Sequence, residues 1–150
     1  MKFKTISELF NSTVTNHSNK NLYYYKKGRE WVSLNGKTIA CAVNDVSNAI
    51  LSFNLSKEDR VGIISTNSPR WAISDYGIIC SGCATVSIYP TLISSQIEYI
   101  VNDSELKILF LENEDQLDKI NQIWGKCPTL EFLVMLNDSF DSETDKIFKF

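Results

Sequence analysis

The feature that most constrains the fold is an alternation of short apolar runs with helical patterns between Val61 and Leu136. The apolar runs are rich in β-branched residues and have the length of buried strands. They lie at 61–65, 84–89, 107–111 and 132–136. A strand–helix alternation predicts a parallel sheet with helices on its faces. We therefore predict an α/β fold for this part of the chain.

The sequence marks where two of the helices between these strands begin or end. Asn67-Ser68-Pro69 is a helix start, and Gly82 can adopt the positive φ that ends a helix after about Ser81. Apolar residues nearly encircle this helix, which predicts that it is buried. Ser94 or Ser95 is expected to cap the next helix, which should run through Val101.

The third helix is predicted from Glu114 to Trp124 because Leu117, Ile120 and Trp124 share one face. Asp115 and Lys119 would form a pair on the outer side. A last strand is expected to end at Leu136. From Asn137 onward the chain is acidic and weakly patterned, and we predict no further element there.

Three elements are predicted before the sheet. Thr5 and Glu8 have the spacing of a capping box, which predicts a helix that begins near Ile6. Its expected buried residues are Ile6, Leu9, Phe10 and Val14. Two aromatic and apolar runs flank a turn at Gly28, which predicts a β-hairpin of 22–25 and 30–34. A helix should follow over about 36–53, with Ile39, Val43, Val46, Ile50 and Phe53 on one face.

The composition is that of an ordinary globular chain. Of 150 residues, 43% are hydrophobic and 22% charged, and the net charge is −3. This acidic balance argues against a nucleic-acid partner, which needs clustered Lys and Arg. No stretch approaches the ~20 apolar residues that span a bilayer, and no secretory signal is seen. We therefore expect a soluble protein of intracellular type with four reduced cysteines.

Redox, zinc and nucleophilic sites are all poorly supported. Cys80 and Cys83 have C-x-x-C spacing, but they fall at the end of a helix, where the dipole raises rather than lowers a thiol pKa. We predict that they are not a redox pair. Cys41 and Cys127 stand apart from them, and His17 is the only histidine. A zinc site or a Ser-His or Cys-His pair is therefore not expected.

Three further sequence patterns could indicate binding sites, but a structural interpretation is favoured for each of them. The turn Ser65-Thr66-Asn67-Ser68 could offer N–H groups to an anion, but an N-cap explains it as well. Tyr23, Tyr24, Tyr25 and Trp31 lie beside Lys26, Lys27 and Arg29, a composition that can stack on single-stranded nucleic acid, but a half-buried hairpin is favoured. Asp138, Asp141, Glu143 and Asp145 lack the glycine of a calcium loop.

A series of short motifs between Asp59 and Ser104 carries a family resemblance. The motifs are Asp59-Arg60-Val61-Gly62-Ile63-Ile64-Ser65, Asn67-Ser68-Pro69-Arg70-Trp71, Ser81-Gly82-Cys83-Ala84-Thr85-Val86, Ile88-Tyr89-Pro90-Thr91, Gln96-Ile97-Glu98-Tyr99-Ile100 and Asn102-Asp103-Ser104. The series resembles the N-terminal part of the adenylate-forming enzymes, specifically the long-chain fatty acyl-CoA synthetases. The Asn-Ser-Pro-x-Trp and Ile-Tyr-Pro-Thr motifs favour the long-chain branch. The resemblance covers about Thr5 to Leu111.

The resemblance implies a fold and a reaction. Residues 1–150 would be the N-terminal portion of the large parallel-sheet domain of an adenylate-forming enzyme, with the hairpin before the sheet and 137–150 as a tail. ATP would convert a fatty acid to an acyl-adenylate, and the thiol of CoA would then displace AMP, while Mg²⁺ helps neutralise the phosphates. The implied partners are fatty acid, ATP, CoA and the remainder of the enzyme chain. The implied location is the cytoplasm, and peripheral association with an intracellular membrane is left open.

Two departures from the family pattern limit which residue roles the resemblance implies for this chain. Ser87 stands where the family usually has Pro, and a Ser keeps the ladder N–H that Pro would remove. In the family the phosphate loop, the adenine-contacting and ribose-binding motifs and the catalytic Lys all lie downstream, and none is found in this chain. We therefore assign it no catalytic, cofactor-binding or metal-binding residue, and expect a fragment that is inactive by itself.

Two alternatives stay open at this point. The chain could be a non-catalytic remnant or an interaction module that keeps the fold without the reaction. It could also be a small redox or receiver-like α/β protein, although a receiver needs acidic residues where Ser65-Thr66-Asn67 supplies none.

Overall fold

A computed structural model describes residues 3–138, 140–141 and 144–150. The elements in chain order are α1 (Ile6–Asn16), β1 (Asn21–Lys27), β2 (Glu30–Asn35), α2 (Gly36–Ser52), β3 (Arg60–Ile64), α3 (Pro69–Cys80), β4 (Ala84–Ile88), α4 (Ser94–Asp103), β5 (Ile108–Leu111), α5 (Glu114–Asn121), a 3-10 helix (Trp124–Lys126), β6 (Phe132–Met135) and β7 (Ile147–Lys149). The chain divides into two compact units. The helical unit comprises the residues up to Leu55 with Asn67–Gly82, and the sheet unit comprises Ser56–Thr66 with Cys83–Phe150.

In the helical unit, α1 begins at its predicted capping residue. Thr5 Oγ1 accepts a hydrogen bond from Glu8 N at 3.1 Å. Phe10 and Val14 are buried, as expected, but the prediction that Ile6 and Leu9 are buried is wrong, since they are 56% and 47% exposed. Leu9 lies about 100° around the helix from Phe10, and Ile6 lies in the first turn. The contact therefore uses only the narrow stripe through Phe10 and Val14.

Helices α2 and α3 pack closely in the same unit. Ile39, Val43, Val46 and Ile50 are buried along α2, as the spacing predicted, whereas Phe53 is the C-cap and only half-buried. A Cβ added at Gly77 of α3 would lie 2.7 Å from Val46 Cβ, so the two helices approach at a point where only glycine fits. No residue of α3 is fully exposed, which confirms that this helix is enclosed.

The predicted hairpin is formed by β1 and β2, which pair antiparallel. Gly28 takes a φ of 65° at the turn, a conformation that suits glycine. One face is half-buried and carries Tyr23, Tyr25, Val32 and Leu34, while the other face carries Tyr24, Lys26, Trp31 and Ser33. Contacts of β1 with α3 and of β2 with α2 fix the hairpin in the helical unit.

The sheet unit holds a five-stranded parallel sheet of order β4-β3-β5-β6-β7. Strands β3 to β6 lie where the apolar runs predicted them. Strand β7 was missed, and the prediction of a last strand ending at Leu136 is wrong. β7 has only three residues and forms because β6 offers it a pairing edge, with Leu133 opposite Ile147.

Helices α4 and α5 cover one face of this sheet. Their residues Ile97, Val101, Leu117 and Ile120 join a buried cluster with strand residues that share that face. Those strand residues are Ile64, Ile88, Leu109, Leu111, Leu133 and Met135. Gly62 belongs to the same face, and a Cβ there would lie 2.5 Å from Leu109 Cδ1 and 2.8 Å from Leu106 Cδ1. The glycine of the Asp-Arg-Val-Gly motif is thus required by packing.

Three helix details differ from the predictions. The N-cap of α4 is Ile93, not Ser94 or Ser95, so no side-chain hydroxyl caps this helix, and Gln96 Oε1 accepts the N–H of Ile93 at 3.3 Å. Helix α5 ends at Asn121, and Trp124 lies in the 3-10 helix beside Gly125, a poor helix former. Lys119 does not point outward to Asp115, since Lys119 Nζ donates to the Pro90 carbonyl oxygen at 2.6 Å.

Candidate functional site at the carboxyl edge of the sheet

The order of the strands reverses between β3 and β5. The chain runs from β3 to β4 on one side, then crosses to β5 on the other side. In open α/β sheets, ligands bind outside the carboxyl ends of the strands at such a switch point. The residues that follow β3 here are Ser65 and Thr66, and the residue that follows β5 is Glu112. This edge of the sheet is therefore the candidate position for a ligand site.

Both donors of Thr66 at the switch point are already used within the chain. Thr66 N donates to Glu112 Oε2 at 3.0 Å, and Thr66 Oγ1 donates to Glu112 Oε1 at 2.5 Å. Glu112 N in turn donates to the Ile64 carbonyl oxygen at 2.9 Å. The half-buried carboxylate of Glu112 therefore occupies both Thr66 donors, and it adds negative charge there.

This result decides between the two interpretations of the turn after β3. The amide of Thr66 serves Glu112, and Ser68 Oγ accepts from Trp71 N at 3.1 Å as the N-cap of α3. The structural interpretation is supported. Sequence reasoning missed Glu112, although its place directly after the apolar run 108–111 marks it as a residue of the carboxyl edge.

Further hydrogen bonds connect residues that follow the carboxyl ends of the neighbouring strands. Asn137 Nδ2, after β6, donates to Glu114 Oε1 and Oε2 at 3.2 and 3.0 Å. Asn113 Oδ1 caps α5 by accepting from Gln116 N at 3.2 Å. The side chain of Gln116 is buried, and its Oε1 has no hydrogen-bond partner among the described residues. The edge is polar and acidic rather than a cradle for phosphate.

The opposite, amino edge of the sheet carries a charged network. Asp59 is buried, and its Oδ2 accepts from Lys107 Nζ and from Ser56 N, each at 2.7 Å. The hydrogen bond from Lys107 is the main cause that lowers the pKa of Asp59, and it outweighs the desolvation that would raise it. Arg60 Nε donates to the Ser104 carbonyl oxygen at 2.6 Å, and the guanidinium also pairs with Glu105. These motif residues join the amino ends of β3 and β5.

An open groove of about 400 Å³ lies in the helical unit, between the hairpin and the start of α3. Its walls are Leu22, Tyr23, Tyr24, Tyr25, Asn67, Ser68, Pro69 and Ala72. Burial, followed by the nearby Tyr76 and Asp75, raises the pKa of Tyr23 and keeps the phenol protonated. The hairpin itself is half-buried on this side, as predicted.

The remaining candidate residues do not converge. His17 is exposed at the end of α1, and Cys80 is the last residue of α3. Cys83 and Cys127 are buried, and Cys41 is exposed. Within 3–138, 140–141 and 144–150, no three His, Cys, Asp or Glu side chains could hold one metal ion. Of the acidic residues compared with a calcium loop, Glu143 lies outside the described residues.

None of the helices among the described residues is both long and apolar enough to cross a bilayer.

Solved structures share this fold. An anthranilate CoA ligase, AuaEII, in complex with anthranoyl-AMP superposes with a TM-score of 0.80 at 24% identity, over 87% of this chain and 24% of that one. A fatty acyl CoA synthetase of Mycobacterium tuberculosis gives a TM-score of 0.77 at 19% identity, over 88% and 26% of the two chains. The fold is thus that of the N-terminal region of adenylate-forming CoA ligases.

Relatives of similar sequence indicate which kind of CoA ligase this chain resembles. A long-chain-fatty-acid–CoA ligase of Xenopus laevis, ACSBG2, is 27% identical over 96% of this chain and 20% of its own length. Fatty acyl-CoA synthetase A of Dictyostelium discoideum is 35% identical over 64% of this chain and 14% of its own. The profile of the AMP-binding enzyme family matches residues 10–149. The chain belongs to the AMP-binding enzyme family, and it spans about a fifth of the length of the Xenopus relative.

Proposed function

We propose that this chain is the N-terminal segment of a long-chain fatty acid–CoA ligase, which activates a fatty acid as an acyl-adenylate and then transfers it to CoA. The observation that carries the proposal is the similarity to the Xenopus ligase over 96% of the chain. The five-stranded parallel sheet supports it. The family match argues against the redox and receiver-like alternatives.

Within that enzyme, the segment would supply framework rather than reacting groups. Asp59 and Arg60 connect the amino ends of β3 and β5, and Gly62 lets Leu106 and Leu109 pack against β3. At the carboxyl edge, Glu112 satisfies the Thr66 donors. Each motif residue named here thus has a structural partner within the sheet unit.

The carboxyl edge described here does not suit the phosphates of ATP, and no three His, Cys, Asp or Glu side chains among the described residues could hold Mg²⁺ together. An anionic phosphate at the switch point would meet the carboxylate of Glu112 and would have to displace it from Thr66. A second carboxylate at this edge, that of Glu114, accepts hydrogen bonds from Asn137. We therefore derive no step of the reaction through either group in this chain.

The first test is to sequence the transcript beyond codon 150. The proposal expects an open frame that continues into a Ser/Thr/Gly-rich phosphate loop followed by Pro-Lys-Gly. A stop codon directly after codon 150 would instead favour the non-catalytic module with the same fold.

The second test is an assay of the 150-residue chain itself. Pyrophosphate release with ATP, Mg²⁺ and palmitate should equal that of a blank without protein, because the segment supplies framework only. The full-length Xenopus relative, assayed in parallel, is the positive control. Turnover by the chain above the blank would contradict this division of roles.

A further inference from the structure

The outer face of the hairpin presents two exposed aromatic rings around a lysine. Tyr24 and Trp31 are 63% and 68% exposed, and Lys26 lies directly opposite Trp31 in the ladder. Lys26 Nζ lies 5.5 Å from the centroid of the Trp31 ring, within cation–π range. The other face of the hairpin is anchored in the helical unit, so this face is held outward.

The charge of the hairpin opposes that of the chain. Between Lys20 and Asn35 there are four cations and one anion, Glu30, which gives a net charge of +3 in a chain of net −3. Lys26, Lys27 and Arg29 are all exposed and lie around the Gly28 turn. An acidic protein thus carries one locally basic, aromatic projection.

We propose that this face, comprising Tyr24, Lys26, Lys27, Arg29 and Trp31, binds the surface of an anionic phospholipid bilayer. Trp and Tyr rings favour the headgroup level of a membrane, where one end of the ring is apolar and the other wet. Lys and Arg beside them bind anionic headgroups while their stems lie along apolar surface. The inference does not depend on the proposed enzymatic role.

The geometry favours a bilayer over single-stranded nucleic acid. Stacking of bases requires open aromatic faces. One face of Trp31 is already covered by the ammonium of Lys26, whereas insertion at a headgroup layer needs only the ring edge and the apolar body. The net negative charge of the chain also disfavours the long phosphate tracks of nucleic acid, while a small patch suffices for a headgroup layer.

The test is flotation of the 150-residue chain with vesicles on a density gradient, which separates vesicle-bound from self-associated protein. Binding is expected to phosphatidylcholine vesicles that contain phosphatidylserine, to be weaker with pure phosphatidylcholine, and to fall as salt rises. The triple variant Lys26→Gln, Lys27→Gln, Arg29→Gln should bind more weakly by about fivefold for each cation removed. The double variant Tyr24→Ser, Trp31→Ser should lose about tenfold.

Matched controls separate this face from general adsorption. Lys37→Gln with Lys57→Gln and Lys146→Gln removes the same charge from exposed positions elsewhere, and Tyr89→Ser with Tyr99→Ser removes two exposed rings from the sheet unit. The tyrosine control should bind as well as the parent, and the lysine control should lose less affinity than the hairpin charge variant. Far-UV circular dichroism of each variant confirms that the fold is kept.

Three outcomes would overturn the proposal. The first is no binding to anionic vesicles by the folded parent chain, and the second is an equal loss in the hairpin and control variants. The third is binding of single-stranded oligo(dT), measured by fluorescence anisotropy, that the hairpin variants abolish while vesicle binding is absent. That last result would assign the face to nucleic acid.

Discussion

At the scale of single residues, packing and charge give a role to three residues of the first motif of the family resemblance. Asp59 is buried at the amino edge, where Lys107 and Ser56 donate to its carboxylate. Arg60 reaches the backbone of Ser104. Gly62 is needed where two leucines cross β3. Asp59, Arg60 and Gly62 therefore each have a structural role within the sheet unit.

Asp59 gives the stability of the fold a dependence on acid pH. Its pKa lies below the unfolded value of about 3.9, so the unfolded chain binds the proton first. The stabilisation is therefore complete above about pH 5 and is lost as pH falls through the folded pKa. In urea unfolding, Asp59→Asn should cost about 1.5–3 kcal/mol at pH 7 and flatten the acid decline.

The neighbouring Glu58 provides the control for this measurement. Its side chain is 83% exposed and lies 4.0 Å from that of Lys57, so Glu58→Gln should change little at either pH. An acid decline of unchanged steepness in Asp59→Asn would show that other carboxylates set the pH dependence.

The four thiols should differ in reactivity by burial. Cys41 is exposed and should be alkylated first in the native protein, while Cys83 and Cys127 should react only after unfolding. Burial is the main cause that raises the pKa of Cys127, which slows it further because the thiolate is the reactive form. Mass spectrometry of the alkylated chain measures the order. Rapid reaction of Cys80 or Cys83 at acid pH would restore the redox interpretation.

At the scale of elements, helix starts were predicted well where the capping side chain belongs to the turn itself. Ser68 caps α3 and Thr5 caps α1, as their sequence patterns indicated. The prediction for α4 was wrong because the helix already includes Ser94 and Ser95, and its N-cap, Ile93, has no side-chain oxygen; Gln96 accepts the Ile93 N–H instead. A hydroxyl beside a helical pattern is therefore insufficient evidence for a cap.

This difference predicts unequal effects of two similar substitutions. Ser68→Ala removes the hydrogen bond to Trp71 N and should destabilise the chain by about 1 kcal/mol. Ser95→Ala replaces an exposed residue inside α4 and should be close to neutral, since alanine favours helix. Urea midpoints of both variants test this. Equal losses of stability in the two variants would contradict a specific capping role for Ser68.

At the scale of the whole molecule, several large apolar side chains are exposed. Ile6 and Leu9 lie near each other on α1, and Tyr89 and Ile93 follow β4. The edge strand β6, which the sequence left unpaired, is protected by β7. Exposed apolar surface, rather than the edge of β6, is therefore the source of the association that we expect.

We expect the 150-residue chain to be marginally stable and to associate. Size-exclusion chromatography should show species larger than 17.1 kDa, together with binding of a dye specific for apolar surface. Ile6→Ser with Leu9→Ser should reduce both signals, while Thr13→Ser on the same helix should not. A monomer with a sharp cooperative melt and no dye binding would contradict this expectation.

The sequence by itself determined the elements whose signal is local. The apolar runs of β3 to β6, the spacing along α2, the Pro69 start of α3 and the Gly28 turn each depend on residues within one short segment. The resemblance in 59–104 likewise rests on contiguous motifs, and the family match over 10–149 confirms it. Periodicity and turn chemistry are sufficient for such features.

Only the tertiary structure decided what depends on partners distant in sequence. Strand β7 is too short to be recognised and exists because β6 can pair with it. Ile6 and Leu9 look like core residues, but no packing partner covers them fully, and Lys119 turns to Pro90 instead of Asp115. Glu112 meets Thr66 only because parallel strands bring residues 46 positions apart to one edge. Burial and pairing of this kind are properties of the folded chain, since no single segment contains both partners.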